Sequence, residues 1–396
     1  MDWIDESFAF FAGFLSEMLP DGVLTNLLTE GIIPGLSGIA MFVPQIFILF
    51  LIISMFEEVG YMSRAVYLFD GIMQRFGMNG RSIVTLISGG ACAVPAIMST
   101  RIISNWKERL ITIMVTPLIS CSARIPVFAI LVAFLIPSFK VFYVFNSQGL
   151  VFMGLYLLGI ISALFSAFVF KKILKSEETS YLMIEMPDYK MPDWKNVFFN
   201  VWNKVKSFVL VAGKVIFFIS IVLWFLASYG GNFNDEKVKK YQTEAQQMDY
   251  DEEAIEVFVN SKKLEYSYAG QMGKFIEPVI EPLGFDWKIG IALITSFAAR
   301  EVFVGTMSTL YSIGNDNPQT IREKLKNEVN PKTGKPMFTF AVALSLLLFY
   351  VFALQCMSTL AVVYKETRSW KWPIIQFVYM GAMAYFASLI AYQLFK

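Results

Sequence analysis

The chain has 396 residues, 56% of them hydrophobic and 16% charged, with a formal net charge of +1 and a positive mean hydropathy. An average soluble domain carries about 25% charged residues, and no basic run here is interleaved with aromatics, which argues against both a soluble globular domain and a nucleic-acid partner. Histidine is absent, which removes a Ser-His-Asp triad, a histidine proton relay and any His-based metal site.

Several apolar runs reach the roughly 20 residues needed to cross about 30 Å of hydrocarbon. They predict an all-α fold, a polytopic transmembrane helix bundle of about eight spans. Residues 1–38 form an amphipathic lead-in segment ending in the turn-rich Gly31-Ile32-Ile33-Pro34-Gly35. No cleavable signal peptide is expected, because Met1 to Pro20 carries four acids and no basic n-region. Spans are predicted near 39–56, 82–103, 109–136, 149–170, 208–229, 286–313, 338–363 and 372–393. Between the first two, Arg64 to Phe76 reads as an amphipathic helix at the interface, with Arg64, Asp70 and Arg75 solvated. The expected organisation is a first transmembrane half over 39–170, a connection over 171–207 and a second half over 208–396 that includes loop 230–285.

Basic residues beside spans mark the cytoplasmic side. The connection 171–207 has seven Lys, whereas loop 230–285 has eleven acids against six Lys. The first is therefore expected in the cytoplasm and the second outside. Segment 314–337, with five basic residues, returns to the cytoplasm, as do both termini. One signal disagrees: Lys365, Arg368 and Lys371 fall in a loop that this scheme puts outside.

The two halves carry a weak internal repeat. Leu86-Ile87-Ser88, Ala91-Cys92 and Met98-Ser99-Thr100 echo Leu293-Ile294-Thr295, Ala298-Ala299 and Met307-Ser308-Thr309. The repeats run parallel if 82–103 crosses the membrane, and inverted if it re-enters.

Two cysteines sit where helices should break, Cys92 in Gly89-Gly90-Ala91-Cys92-Ala93-Val94-Pro95 and Cys121 in Ser120-Cys121-Ser122-Ala123-Arg124-Ile125-Pro126. Glycine weakens a helix, and proline removes a donor and clashes with the preceding turn. Free backbone at membrane depth is tolerated only against protein or a water-filled cavity, and transporters build substrate sites from such breaks. Pro95 and Pro126 thus shape the breaks, and the sulfurs point to passage of a thiophilic or borderline metal ion. Cys356 fits an unbroken helix pattern and carries less weight. Met98 and Met307 occupy matching places in the repeat. Ionisable residues inside spans cost roughly 2.5–3.5 kcal/mol each; here they are Arg124, Arg300 and Glu301, with Glu57 and Glu58 closing the first span. The arginines are read as structural or gating charges, Arg124 with Glu301 being one match, and Glu301 as an acid beside a cation path. No phosphate loop is present, and no nucleophile-base pair supports an enzyme.

Pro44-Gln45, the stretch Glu57 to Arg64, Cys92-Ala93-Val94-Pro95 through Arg101, Cys121-Ser122-Ala123-Arg124-Ile125-Pro126, Phe297 to Phe303 and Gln355-Cys356-Met357-Ser358-Thr359-Leu360 occur in this order. Together they resemble the membrane part of the bacterial ferrous iron transport protein B family. The resemblance implies Fe²⁺ uptake across the inner membrane through a bundle with two gate-like repeats, with Cys92 and Cys121 on the iron path. Glu57 or Glu58 would meet the ion at the outer side, and Glu301, Cys356 and Met98 complete the expected metal-path set. Ala93 stands where the family usually has Asn. The family's cytoplasmic GTPase domain is missing from the chain, so GTP would act only through a separate or truncated domain docking on 1–38 and 171–207, and no cofactor is expected in the chain itself. A homo-oligomer is compatible with this reading. The alternatives are a gate-domain carrier for a nucleoside or another divalent cation, and a non-transporting membrane assembly protein.

Overall fold

The computed structural model of the protein describes residues 2–18, 20, 22–136, 140–141, 145–174, 188–230, 255, 259, 262–297, 300, 302–310 and 338–396. Glu301, most of loop 230–285 and all of segment 314–337 lie outside the described residues. Regular structure is helical apart from one short antiparallel pair, Lys140–Val141 with Phe145–Asn146. Six described stretches are long and apolar enough to cross a membrane: Val23–Glu58, Trp106–Ala133, Ser147–Leu174, Trp194–Ser228, Phe340–Thr367 and Lys371–Phe395. The expected all-α polytopic bundle is what the chain forms.

Helix α1 covers Asp2–Met18, and α2, Val23–Asn26, runs through a π-helical turn at Leu27–Ile32 into α3, Ile33–Glu58. The turn expected at Gly31–Gly35 is therefore helical. Pro34 lacks the N–H that a continuing helix would use, and the wide π-turn just before it takes up the irregularity. Gly60, at φ +88°, reverses the chain in the left-handed region that glycine enters without penalty. Helix α4 follows over Tyr61–Arg75, in the place of the expected interfacial helix. Its Asp70 is not merely solvated: Oδ1 accepts from the Gly80 amide at 2.8 Å and Oδ2 from Gln74 at 2.7 Å.

Two predicted spans are instead broken pairs of short helices. Span 82–103 resolves into α5, Ser82–Gly89, and α6, Ala93–Ser99. Then come α7 (Trp106–Val115), α8 (Ile125–Leu135), α9 (Ser147–Leu174), α10 (Trp194–Phe208), α11 (Lys214–Ser228) and α12 (Tyr268–Ile280). Span 286–313 resolves into α13, Trp287–Thr295, and α14, Val302–Leu310. The chain ends with α15 (Phe340–Phe352), α16 (Met357–Thr367) and α17 (Lys371–Phe395). At 1.5 Å per residue, helices as short as α5 and α6 reach only about half-way across hydrocarbon. Hydropathy averaged over both arms reads each pair as one span.

The chain divides into two compact units, and these are not the consecutive halves 39–170 and 208–396. One contains Met1–Ala123, Gly154–Phe218 and Met357–Met380; the other contains Arg124–Met153, Ile219–Cys356 and Gly381–Lys396. The divisions after Ala123 and after Cys356 fall inside two discontinuous spans, so each of these spans gives one half-helix to each unit.

In the first unit α3, α6, α7, α10 and α16 share a core built from Ile46, Phe50, Val94, Ile97, Ile113, Val362 and Val363. Helix α10 presents Val197, Val201 and Val205 to it at four-residue spacing, the stripe an amphipathic helix buries. Each such side chain contributes about 1.5–3 kcal/mol when withdrawn from water. In the second unit α12 packs on α13 through Gly273, where a Cβ would stand 2.9 Å from the Trp287 carbonyl oxygen. Helices α15 and α17 are tied by reciprocal hydroxyl bonds between Ser345 and Ser388, at 3.2 and 2.8 Å.

Candidate functional site

The first unit contains two helix breaks, one at each of Cys92 and Cys121. After α5 the amides of Gly90, Ala91 and Cys92 turn back onto Ile87 and Ser88, and Cys92 is extended, at φ −152° and ψ 127°. Pro95 enters at the third residue of α6, where the first-turn amides have no helical partner to lose. Helix α7 ends before Pro117 and tightens into a 3-10 turn at Thr116–Leu118; Ile119 is extended, and a second 3-10 turn, Ser122–Arg124, leads into α8. Pro126 sits in the first turn of α8, where it is pre-organised for a helix start.

These breaks are bonded to each other. The Ser122 amide and hydroxyl both donate to the Ala91 carbonyl, at 3.3 and 3.0 Å. Cys92 and Cys121 each adjoin one member of that bonded pair; both are half-buried and neither forms a disulfide. Small residues allow the approach. A Cβ on Gly89 would stand 3.0 Å from the Thr116 methyl, and one on Gly159 of α9 would stand 3.1 Å from the Leu118 carbonyl oxygen. Met98, on the helix α6 that Cys92 precedes, packs partly buried against the core of the same unit. Among the described residues no group of three or more Cys, Asp or Glu is arranged to hold a metal ion.

A third break, Ala353–Cys356, separates α15 from α16, so Cys356 lies at a break and not within a continuous helix. Two buried arginines of the second unit take up the freed carbonyls. Arg124 donates to Val351 at 2.9 Å and to Ala353 at 3.4 Å, and Arg300 donates to Gln355 at 3.1 Å. Cations at the C-terminal end of a half-helix satisfy orphan carbonyls and face the negative end of its dipole. Arg124 is fully buried and Arg300 nearly so. The expected match of Arg124 with Glu301 falls outside the described residues.

Glu57 and Glu58 are not brought to the thiols. Glu58 pairs with Lys190 at 3.1 Å and Glu57 with Lys204 at 3.9 Å, while the Arg64 guanidinium lies 3.8 Å over the Tyr189 ring. The acidic pair thus lies against the lysine-rich connection. A reading that puts these acids outside and the connection in the cytoplasm is not compatible with these ion pairs.

One charged cluster was missed in the sequence. Glu366 of α16 accepts from Arg101 Nε and Nη2, at 2.9 and 2.6 Å, and from Arg109 Nη2 at 2.6 Å. In Lys365-Glu366-Thr367-Arg368 the acid reads as one solvated loop charge among others. The structure buries it and joins loop 100–109 to loop 365–371, which the eight-span scheme put on opposite sides.

Comparison with known proteins gives two family matches: the nucleoside-recognition Gate model over residues 39–135 and 209–370, and the C terminus of ferrous iron transport protein B over residues 152–204. The Fe(2+) transporter FeoB of Leptospira interrogans serovar Lai is 44% identical over 404 residues, covering 100% of this chain and 54% of the relative. That of Leptospira biflexa is 44% identical over 398 residues, again with 100% and 54% coverage. That of Methanocaldococcus jannaschii is 34% identical over 385 residues, covering 96% of this chain and 52% of the relative. The chain spans about half the length of these curated relatives. No solved structure matches. With thiols at bonded helix breaks and full-length similarity to these relatives, the chain belongs to the ferrous iron transport protein B (FeoB) family.

Proposed function

We propose that this chain is the membrane permease part of a ferrous iron transporter, passing Fe²⁺ across the bacterial inner membrane. The observation that carries the reading is the Ser122–Ala91 junction, which sets Cys92 and Cys121 beside one bonded pair of helix breaks. Two cysteine sulfurs, with Met98 on the short helix that Cys92 precedes, offer borderline ligands for an ion that must also leave. Cys356, at the break in the other unit, and Glu301 are retained as further candidate ligands from the sequence. The relatives' additional length accommodates the family's GTPase region, through which alone GTP would act; the chain itself needs no cofactor.

The ion pairs also support an orientation. Lys171 donates to the carbonyls of Gln74 and Arg75, Lys190 pairs with Glu58, Arg81 just beyond α4 donates to the Ile102 carbonyl, and Glu366 joins Arg101 and Arg109. Helix α4, loop 100–109, connection 171–207 and loop 365–371 therefore share one side, and their density of Lys and Arg makes it cytoplasmic. Lys365, Arg368 and Lys371 then obey the rule they had violated. On this orientation α1 and the end of α17 would lie on the outer side, where the sequence led to two cytoplasmic termini. The pair α5–α6 then re-enters from the cytoplasm, the case in which the two repeats are inverted.

Radiolabelled Fe²⁺ uptake under reducing conditions, in cells lacking their own iron permease and co-expressing the GTPase region, tests the path. Cys92→Ala and Cys121→Ala are each expected to lower uptake by about tenfold or more, a loss equal to 1.4 kcal/mol of ligand interaction. Uptake unchanged in the double variant would sink the sulfur path. Competition by nucleosides but not by Mn²⁺ would favour a nucleoside carrier, which the Gate match brings into view.

A further inference from the structure

The path through Cys121 requires the sulfur to hold its place although the backbone beside it is not helical. Pro117 has no N–H to offer the Ile113 carbonyl, and the regular ladder of α7 stops at the 3-10 turn that follows. In lipid every such carbonyl needs a donor from somewhere. Gln376 of α17 supplies it: its Nε2 donates to Ile113 at 3.1 Å and to Met114 at 3.0 Å. Tyr379, three residues on, donates its hydroxyl to the same Met114 carbonyl. Gln376 is completely buried, and its Oε1 has no partner among the described residues. Turning the amide over would set that oxygen against two carbonyl oxygens, so the orientation is fixed.

The contrast with the break at Cys356 is chemical. There the freed carbonyls are served by guanidinium groups. The break at Cys121 is served by a neutral amide and a neutral hydroxyl, which satisfy the backbone carbonyls of Ile113 and Met114. We infer that Gln376 is a positioning residue for Cys121, holding the proline-broken end of α7 so that the thiol stands on the ion path, with Tyr379 as its helper. This rests on the reading of Cys121 as a path residue.

Two measurements on the full chain in lipid test it. The first is the rate of N-ethylmaleimide alkylation of Cys121 in a Cys92→Ala, Cys356→Ala background, which reads the thiol's placement whether or not iron passes it. The second is the split between KM and Vmax for Fe²⁺ uptake with all three cysteines present. Gln376→Leu is expected to speed alkylation and raise KM by about fivefold, the worth of one hydrogen bond. Tyr379→Phe, the milder change, moves both in the same direction by less. Pro117→Ala restores an N–H for Ile113, so Gln376→Leu placed on that background is expected to have little further effect. Alkylation unchanged in Gln376→Leu, or an effect of equal size with and without Pro117, overturns the inference. If Gln376→Leu does not fold, Tyr379→Phe decides, and unchanged alkylation in it overturns the inference. Uptake indifferent to Cys121→Ala while alkylation still responds to Gln376 would instead remove the path reading and leave the positioning intact.

Discussion

Glu366→Ala is expected to destabilise the protein by about 3–5 kcal/mol, the usual cost of removing one partner from a buried charge cluster. The Glu366 side chain is 3% exposed and receives both Arg101 and Arg109. Without it Arg109, whose side chain is only 19% exposed, keeps no carboxylate among the described residues, only the Thr100 hydroxyl at 3.3 Å and the Trp106 ring at 5.7 Å. Arg101→Ala is a different case. Its side chain is 56% exposed, and its loss leaves Glu366 still paired with Arg109, so a loss of no more than about 1 kcal/mol is expected. Thermal unfolding of the purified chain in detergent, wild type against the two variants, checks the asymmetry. Equal losses for both would mean that the cluster does not depend on the buried carboxylate as described.

The second large effect is all-or-none. Single cysteines introduced at Lys107, Lys190 and Arg368, in a chain whose native cysteines are replaced by alanine, are expected to resist a membrane-impermeant maleimide in intact cells and to react once the membrane is opened. A cysteine at Lys396 is expected to react in intact cells. The reasoning is geometric. Glu58 with Lys190, and Glu366 with Arg101 and Arg109, each join segments on one side, and no span can place two ion-paired loops on opposite faces of a bilayer. Labelling of Arg368→Cys from outside, with Lys107→Cys protected, would restore the eight-span scheme and remove the re-entrant pair.

Some of this was legible in the chain without any structure. Composition and the long apolar runs fix a helical membrane protein, because only helices and closed barrels satisfy backbone in lipid. Gly89-Gly90 and Pro95, and Pro117 and Pro126 around Cys121, mark the breaks by removing donors and helix propensity, both local properties. Hydropathy failed at 82–103 and 286–313 because a window average cannot tell one long helix from two short ones in the same apolar surroundings. It failed at Cys356 because no proline or glycine marks that break; its freed carbonyls are held by Arg124 and Arg300, far away in sequence.

What the sequence determined by itself is therefore the solvent of this protein and two of its helix breaks, since each follows from side-chain type and nearest neighbours. Only the tertiary structure decided that the two thiol breaks are bonded to each other through Ser122 and Ala91, that Glu57 and Glu58 face lysines, and that Glu366 is a buried partner of two arginines. Those are pairings across long sequence separations. They depend on which carbonyls and charges lose water together on folding, and no local pattern records that.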